Sequence, residues 1–284
     1  MIFISHGVLR KRDKRFISHA PMLDEQSYLA HLKGAYYVSL EDALRGLGDA
    51  LTFDDGTYAA LHGALLARRF GHPVSLFVNG WHVESHCPYF TYQLSAMLDS
   101  TSKTSCRLFD RTWSLKRVHD RRILRRALKE VYLRINSASG IGSLVDSVAN
   151  ELEVSSLAHD LRTITERDIR NAVDAGVSLQ CHGWTHLNPL LFSRARLRRE
   201  SILNQEWIRG VTGKASSSYA PAFGRISAFA CGNKRNVVVA HSSRDAGAHA
   251  VGREDLAIHL QSKLPQDHPN SVAQMPEHSD LHAI

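Results

Sequence analysis

Short apolar runs, each closed by a polar residue, recur along this chain. Met1-Ile2-Phe3-Ile4, Ala50-Leu51-Thr52-Phe53, Val74-Ser75-Leu76-Phe77-Val78 and Val177-Ser178-Leu179-Gln180-Cys181 are four or five residues long. That length fits strands, and the near-continuous runs fit strands covered on both faces. Tyr36–Val38, Asn236–Ala240 and Leu256–His259 read as further strands. Helices are predicted over Asp24–Lys33, Leu40–Leu47, Tyr58–Phe70, Glu166–Ala175 and Ser193–Arg209. Met22-Leu23 offers a staple before the first, and Ser39 a cap for the second. Gly71, Pro73, Gly176, Gly210 and Gly213 stand where helices should stop. Strand and helix alternate, which predicts a parallel α/β architecture.

The alternation pauses over 84–165. There Leu124, Leu128, Val131 and Ile135 recur at helical spacing, and a Gly/Ser-rich break follows at Ser137–Ser143. The segment reads as a mainly helical insertion in one domain spanning 1–262, with 263–284 as a flexible polar tail. At 284 residues and 43% hydrophobic content, the chain can bury one full α/β core. No apolar run reaches 18 residues, so no transmembrane helix is expected. The start of the chain lacks the basic and long apolar regions of a secretory leader, and a cytoplasmic location is expected. Cys87, Cys106, Cys181 and Cys231 form no C-x-x-C pair and read as reduced packing residues.

Charge changes the picture locally. The net charge is +7, and nine Lys or Arg fall between Arg111 and Arg134 against Asp120 and Glu130. An amphipathic helix with a solvated basic face is the plain reading. The sharper one is a contact for the phosphates of a nucleotide-linked sugar, a lipid-linked sugar or a membrane surface. No zinc-finger, helix-turn-helix or RNP-type pattern accompanies the charge, so nucleic acid is not an expected partner.

The chemistry concentrates at strand ends. Asp54-Asp55-Gly56 closes the Ala50–Phe53 run, and two adjacent carboxylates repel unless a cation or proton relieves them. Taken alone, the triplet also fits an Asx turn. His182-Gly183-Trp184-Thr185-His186 places two imidazoles four residues apart, on one face if the segment turns like a helix. One Asp and two His make a three-ligand site with an open position, and the other Asp is left to serve as a base. A metalloprotease reading of the His pair fails, because Gly183 stands where that motif needs Glu. Asp54, Asp55, His182, His186, His241 and His259 all fall at or just after predicted strand ends, the rim where parallel α/β folds build sites. Trp81 and Trp184, near the same rim, could stack on a sugar or simply pack. His6, His19 and His82 sit nearby without an assigned chemistry.

Thr52-Phe53-Asp54-Asp55-Gly56 matches the first motif of the polysaccharide deacetylase superfamily, the NodB-homology or carbohydrate esterase family 4 group. His182–His186 resembles its second motif, H-[ST]-x-x-H. Tyr219-Ala220-Pro221-Ala222-Phe223-Gly224 is similar to its third, and Ile4-Ser5-His6-Gly7-Val8 to its opening strand. The resemblance covers about 1–83 and 166–260. It implies an irregular (β/α)7 barrel and hydrolysis of N-acyl, sometimes O-acetyl, groups on sugars. It further implies one divalent metal, most often zinc, on Asp55, His182 and His186. Asp54 would be the base, Phe223 N–H an oxyanion donor, and His259 or, second, His241 the acid for the leaving amine. The chain departs from the family at Ala220, which replaces an Arg that orients the base and for which Arg225 is the nearest substitute in sequence. It departs also at Phe223 for Tyr and at Gly183 for Ser or Thr. The expected activity is removal of an acetyl or formyl group from an amino sugar or glycan precursor, phosphate-linked precursors included, in surface polysaccharide biosynthesis. The alternative is a non-catalytic relative that binds a glycan or a partner enzyme.

Overall fold

The computed structural model describes residues 1–12, 16–18, 22–154 and 159–224, with the backbone of 237–240, 250–252 and 254–255. The chain opens with β1 (Ile2–Ser5), then β2 (Val8–Leu9), which pairs with β3 (Leu23–Asp24). Asp24 caps α1 (Glu25–Gly34) and Ser39 caps α2 (Leu40–Leu44), each accepting from the backbone N–H three residues on. β4 (Ala50–Phe53) is wholly buried. α3 (Tyr58–Arg69) is capped by Thr57 and buries its alanines against the sheet. β5 (Val74–Val78) and α4 (Gly80–Glu84) follow.

The insertion comprises α5 (Phe90–Ser100), β6 (Ser105–Leu108), β7 (Arg111–Ser114), α6 (Val118–Tyr132) and α7 (Ala138–Leu152). The barrel pattern then resumes with α8 (Glu166–Asp174), β8 (Ser178–Cys181), α9 (Arg194–Thr212), β9 (Ser218–Tyr219), β10 (Val237–Ala240), β11 (Ala250–Gly252) and β12 (Glu254–Asp255).

Eight parallel strands run in the order β11-β10-β9-β8-β5-β4-β1-β12. The two ends of that order are consecutive in the chain. Gly252 of β11 and Glu254 of β12 are two residues apart, so their Cα atoms lie within about 7.6 Å. One segment therefore serves both edges and closes the sheet. Counting that segment once leaves seven strand positions, the (β/α)7 barrel the sequence implied. Closure removes the exposed edges an open sheet would carry.

Register places the site. Ser5 aligns with Phe53, Val78 with Cys181, and Cys181 with Tyr219. The residues immediately beyond them, His6, Asp54, Asn79, His182 and Ala220, thus leave the sheet at the same end.

Among the described residues, two large hydrophobic cores stand beside two smaller clusters. One joins the sheet to α3, α8 and α9 through residues such as Leu51, Leu76, Ala64, Ile169 and Ile208. The other belongs to the insertion, where Leu94 and Leu98 of α5 meet Leu124, Leu128 and Tyr132 of α6 and Val148 of α7.

Two expectations change, and a third lies beyond what the structure describes. Tyr36–Val38 forms no strand: Val38 N–H finds the Asp49 carbonyl at 2.8 Å, while Tyr37 buries its ring edge-on to Phe3 and His72 from a loop. Arg111–Ser114, at the head of the basic stretch, is a strand rather than helix. It belongs to a hairpin whose two turn residues, Phe109 and Asp110, have φ of 55° and 56°. Left-handed backbone at both positions makes the tight turn that matches strand twist, but without the Asn-Gly signal that usually announces it. The Leu256–His259 strand and the 263–284 tail lie outside the described residues.

A candidate metal centre at the barrel rim

Asp54 and Asp55 follow β4 directly. Asp54 N–H donates to the Ser5 carbonyl at 3.0 Å, continuing the ladder one residue past the strand. Asp55 then adopts φ 59°, a left-handed conformation that Asp tolerates better than most residues, and turns its side chain across the rim. Both carboxylates are nearly buried, at 3% and 4% exposure.

His182 leaves β8 with its N–H on the Val78 carbonyl at 3.1 Å. The segment to His186 is a loop and not the helical turn expected. Gly183 has φ 82° and His186 φ 52°, and these two reversals bring the rings together with centroids 5.1 Å apart. A Cβ at Gly183 would meet nothing closer than 3.9 Å, so glycine is required there by backbone conformation rather than space.

Asp55 Oδ1 lies 3.0 Å from His186 Nε2 and 3.4 Å from His182 Nε2, and the three ligand atoms all fall within 4.8 Å of one another. His182 Nδ1 is 2.8 Å from the Ala220 carbonyl, which can only accept, so Nδ1 carries the hydrogen and Nε2 presents its lone pair. Burial disfavours ionisation of Asp55, but the two imidazoles hold its carboxyl well below the ordinary value. Burial also pulls the His186 imidazole down, against the opposing pull of Asp55. The donor set is one carboxyl and two imidazoles, whose ligating forms are the ionised carboxylate and the neutral ring.

Asp55 Oδ1 is buried without a hydrogen-bond partner, while its other oxygen accepts from Tyr92 OH at 2.8 Å. An orphaned carboxylate oxygen facing two imidazole nitrogens fits a divalent cation, and the nitrogen-oxygen donor set suits zinc. His182 Nε2 also lies 3.8 Å from Asp54 Oδ2, which places the second carboxylate beside the ligand set.

Several supporting groups escaped the sequence reading. Asn79, the residue after β5, donates from Nδ2 to the carbonyls of His182 and Gly183 at 2.7 and 2.9 Å. Tyr89 OH donates to Asn79 Oδ1 and accepts from Gly56 N–H. Glu200, on α9, accepts from the backbone N–H of Trp184 and Thr185 at 3.1 and 2.9 Å and from Thr185 Oγ1. Tyr132 of α6 donates to the His186 carbonyl at 2.9 Å. Asn79 follows the same strand-end rule as the aspartates. Glu200 and Asn204 lie on the otherwise apolar stripe of α9 with Leu197, Trp207 and Ile208, a buried polar signal that is legible in the sequence.

A cleft of about 280 Å³ opens over the set, lined by Asp54, Asp55, His182 and His186 with His6, Thr91, Tyr92, Arg125, Lys129 and Phe223. Phe223, at φ 60°, packs its ring 4.7 Å from that of His186. Trp81 and Trp184, for which the sequence leaves both stacking on a sugar and simple packing open, are not among the lining residues. Gly80 packs so tightly that a Cβ there would lie 2.4 Å from Trp184, and Trp184 instead borders a separate groove with Arg196 and Arg199. His82 lies behind the site, stacked on Tyr89 with its imidazole pulled down by burial to about 3. Arg225, His241, His259, His19 and Cys231 lie outside the described residues. Cys87, Cys106 and Cys181 are free thiols.

Among the described residues, no helix is long and apolar enough to cross a membrane. The sequence profile described as polysaccharide deacetylase matches residues 49–237. No curated protein sequence matches the chain. Among solved structures, the chain is similar to the Streptococcus pyogenes deacetylase PplD in complex with acetate, at 12% identity and a TM-score of 0.55, covering 94% of this chain and 97% of that one. It is likewise similar to a polysaccharide deacetylase from Bacillus cereus, at 12% identity and a TM-score of 0.50, covering 92% and 67%. Identities this low speak for the fold alone, but the profile spans both the Asp54-Asp55 and His182–His186 motifs, and the chain belongs to the polysaccharide deacetylase family.

Proposed function

We propose that the protein is a metal-dependent hydrolase that removes an N-acyl group, acetyl or formyl, from an amino sugar or glycan precursor in surface polysaccharide biosynthesis. The observation that carries this reading is the buried, unpartnered Asp55 Oδ1 facing His182 and His186. Asp55, His182 and His186 would hold one divalent ion, zinc by preference. Such an ion supplies Lewis-acid polarisation of an amide carbonyl and acidifies water at neutral pH.

The chain's own groups would do the rest. Asp54, beside the ligand set and buried, takes the proton of the attacking water at its carboxylate. Tyr92 keeps the second Asp55 oxygen occupied and so fixes which oxygen faces the imidazoles. The Ala220 carbonyl orients His182 through the backbone, a role that survives the change of side chain at that position. The leaving amine takes its proton from His259 or His241 in this reading. A cytoplasmic location would favour a small or carrier-linked precursor over a wall polymer.

The Ala220 departure favours one competitor, a relative that holds metal without turnover. Metal analysis of purified protein, paired with acetate and formate release from a panel of N-acyl amino sugars and nucleotide-linked sugars, separates the two. About one zinc per chain with release abolished in Asp54→Asn supports the hydrolase. Metal retained without release from any substrate supports the binding relative. Protein that takes up no zinc overturns the site.

A further inference from the structure

The basic helix α6 does not present its cations uniformly. Arg121 is committed to structure: its guanidinium donates to the carbonyls of Leu98, Thr101 and Leu115 around the end of α5. Arg122 and Arg126 are exposed. Arg125 and Lys129, one helical turn apart, line the same cleft as Asp54, Asp55, His182 and His186.

Resting on the N-deacylation reading, we propose that Arg125 and Lys129 form a subsite for an oxyanion, phosphate or carboxylate, borne by the same sugar that carries the acyl group or by its immediate neighbour.

Four observations support this. The first is spacing. Residues four apart on a helix have Cβ atoms about 5–6 Å apart, so both cations can reach one anion. The second is the setting of Arg125. Its Nε donates to Ser95 Oγ at 2.7 Å, and Ser95 is in turn held on the Thr91 carbonyl, so the guanidinium is fixed in orientation. No carboxylate lies within 4 Å of the Arg125 guanidinium among the described residues. The nearby Asp99 is already occupied by the N–H groups of Ile17 and Ser18. Burial accordingly pulls the Arg125 guanidinium down, against opposing pulls from Tyr92 and Asp99, so a partly buried cation stands without an ion-pair partner.

The third observation is size. A cleft of about 280 Å³ is at the lower end of small-molecule sites, roughly 300–1,000 Å³. Its walls therefore contact one or two sugar residues, and an anion on a distant carrier would not reach them. The fourth is charge. Among the described residues, the cleft carries the cations Arg125 and Lys129 beside the carboxylates Asp54 and Asp55, and a divalent ion on Asp55 and the two histidines would add two positive charges. That addition favours anionic over neutral glycans.

The test compares acetate release by the zinc-loaded protein from N-acetylglucosamine, its phosphate monoesters and an N-acetylated amino-sugar uronate. The wild type should favour at least one anionic substrate by about tenfold or more in kcat/KM. Arg125→Gln and Lys129→Gln should each collapse that preference about tenfold to a hundredfold, mainly through KM. Arg122→Gln and Arg126→Gln should keep it. Melting temperatures establish that the variants fold, and Lys129→Gln carries the test if Arg125→Gln does not. A phosphate preference names the ester, a uronate preference the carboxylate.

Equal rates on neutral and anionic substrates, unmoved by either variant, overturn the subsite and leave the deacylase reading standing. If no substrate releases acetate, that reading fails, and calorimetric titration of the zinc-loaded protein with inorganic phosphate and with glucuronate decides the subsite alone. Binding by the wild type that both variants lose supports it, and absence of binding overturns it.

Discussion

The barrel rim and the helical insertion meet at one cleft but are built on opposite terms. At the rim, position comes from backbone. Asp54 and His182 extend the sheet ladder by one hydrogen bond each, and Asp55, His186 and Phe223 all sit at φ between 52° and 60°. Such conformations persist only where surroundings impose them, and for His186 these are the Asn79, Glu200 and Tyr132 contacts to its loop. On α6, position comes from a regular helix whose apolar stripe packs on its own core. Its exposed residues, such as Arg122 and Arg126, can change without disturbing that packing. Chemistry that needs fixed ligands has been placed where the backbone cannot move. Contacts that select a substrate have been placed where side chains can vary.

The largest expected break in this contrast is at the rim itself. Asp55→Ala removes the carboxylate shared by both imidazoles. Zinc retention should be lost by elemental analysis, and activity should fall further than the roughly 10–100-fold that removing a supporting contact costs. Next is the insertion core. Leu128 is fully buried between α5 and α6, and Leu128→Ala should destabilise the protein by about 2–5 kcal/mol in urea unfolding. The same change should weaken zinc affinity less than Asp55→Ala does. Equal damage to both properties would show that the insertion, and not the barrel, sets the ligand geometry.

Smaller effects test the struts between them. Glu200→Ala strands the Trp184 and Thr185 N–H groups in a partly buried loop. Zinc affinity should fall about 10–100-fold, as for other groups that orient ligands, while Glu200→Gln recovers part of the loss. An unchanged affinity would mean that Asn79 and Tyr132 hold the loop without Glu200.

Legibility in the sequence divides along the same line. The strands at Ala50–Phe53, Val74–Val78 and Val177–Cys181 are readable because burial on both faces leaves an apolar run. The rim residues are readable because each follows such a run. What is not readable depends on contacts distant in sequence. Tyr92 and Tyr132 look like ordinary apolar-face aromatics of α5 and α6, and only packing aims their hydroxyls at Asp55 and the His186 carbonyl. The hairpin at β6–β7 is hidden because Phe109-Asp110 lacks glycine. Trp81 and Trp184 stay ambiguous in the sequence because proximity to the rim does not decide on which side of a loop an indole packs.

The smallest effect concerns how α8 is anchored under this rim. Thr165 and Asp168 form a capping box, and Asp168 also accepts from Tyr58 OH at 2.9 Å, tying α8 to the first turn of α3, just beyond Asp54-Asp55-Gly56. Burial would raise the Asp168 carboxyl, but hydrogen bonds from Thr165 and Tyr58 bring it below its ordinary value. A carboxyl depressed on folding binds fewer protons folded than unfolded. Its contribution is therefore complete above the ordinary carboxylate pKa of about 3.9 and is lost as pH falls through the lower folded value. Asp168→Asn should cost about 1 kcal/mol near neutral pH, the usual size of a helix cap. The gap between variant and wild type should hold from about pH 6 to about pH 4 and narrow as urea midpoints are followed down to about pH 3, below the ordinary carboxylate value. A gap that stays constant across that range would assign the stabilisation to the shape of the side chain and not to its charge.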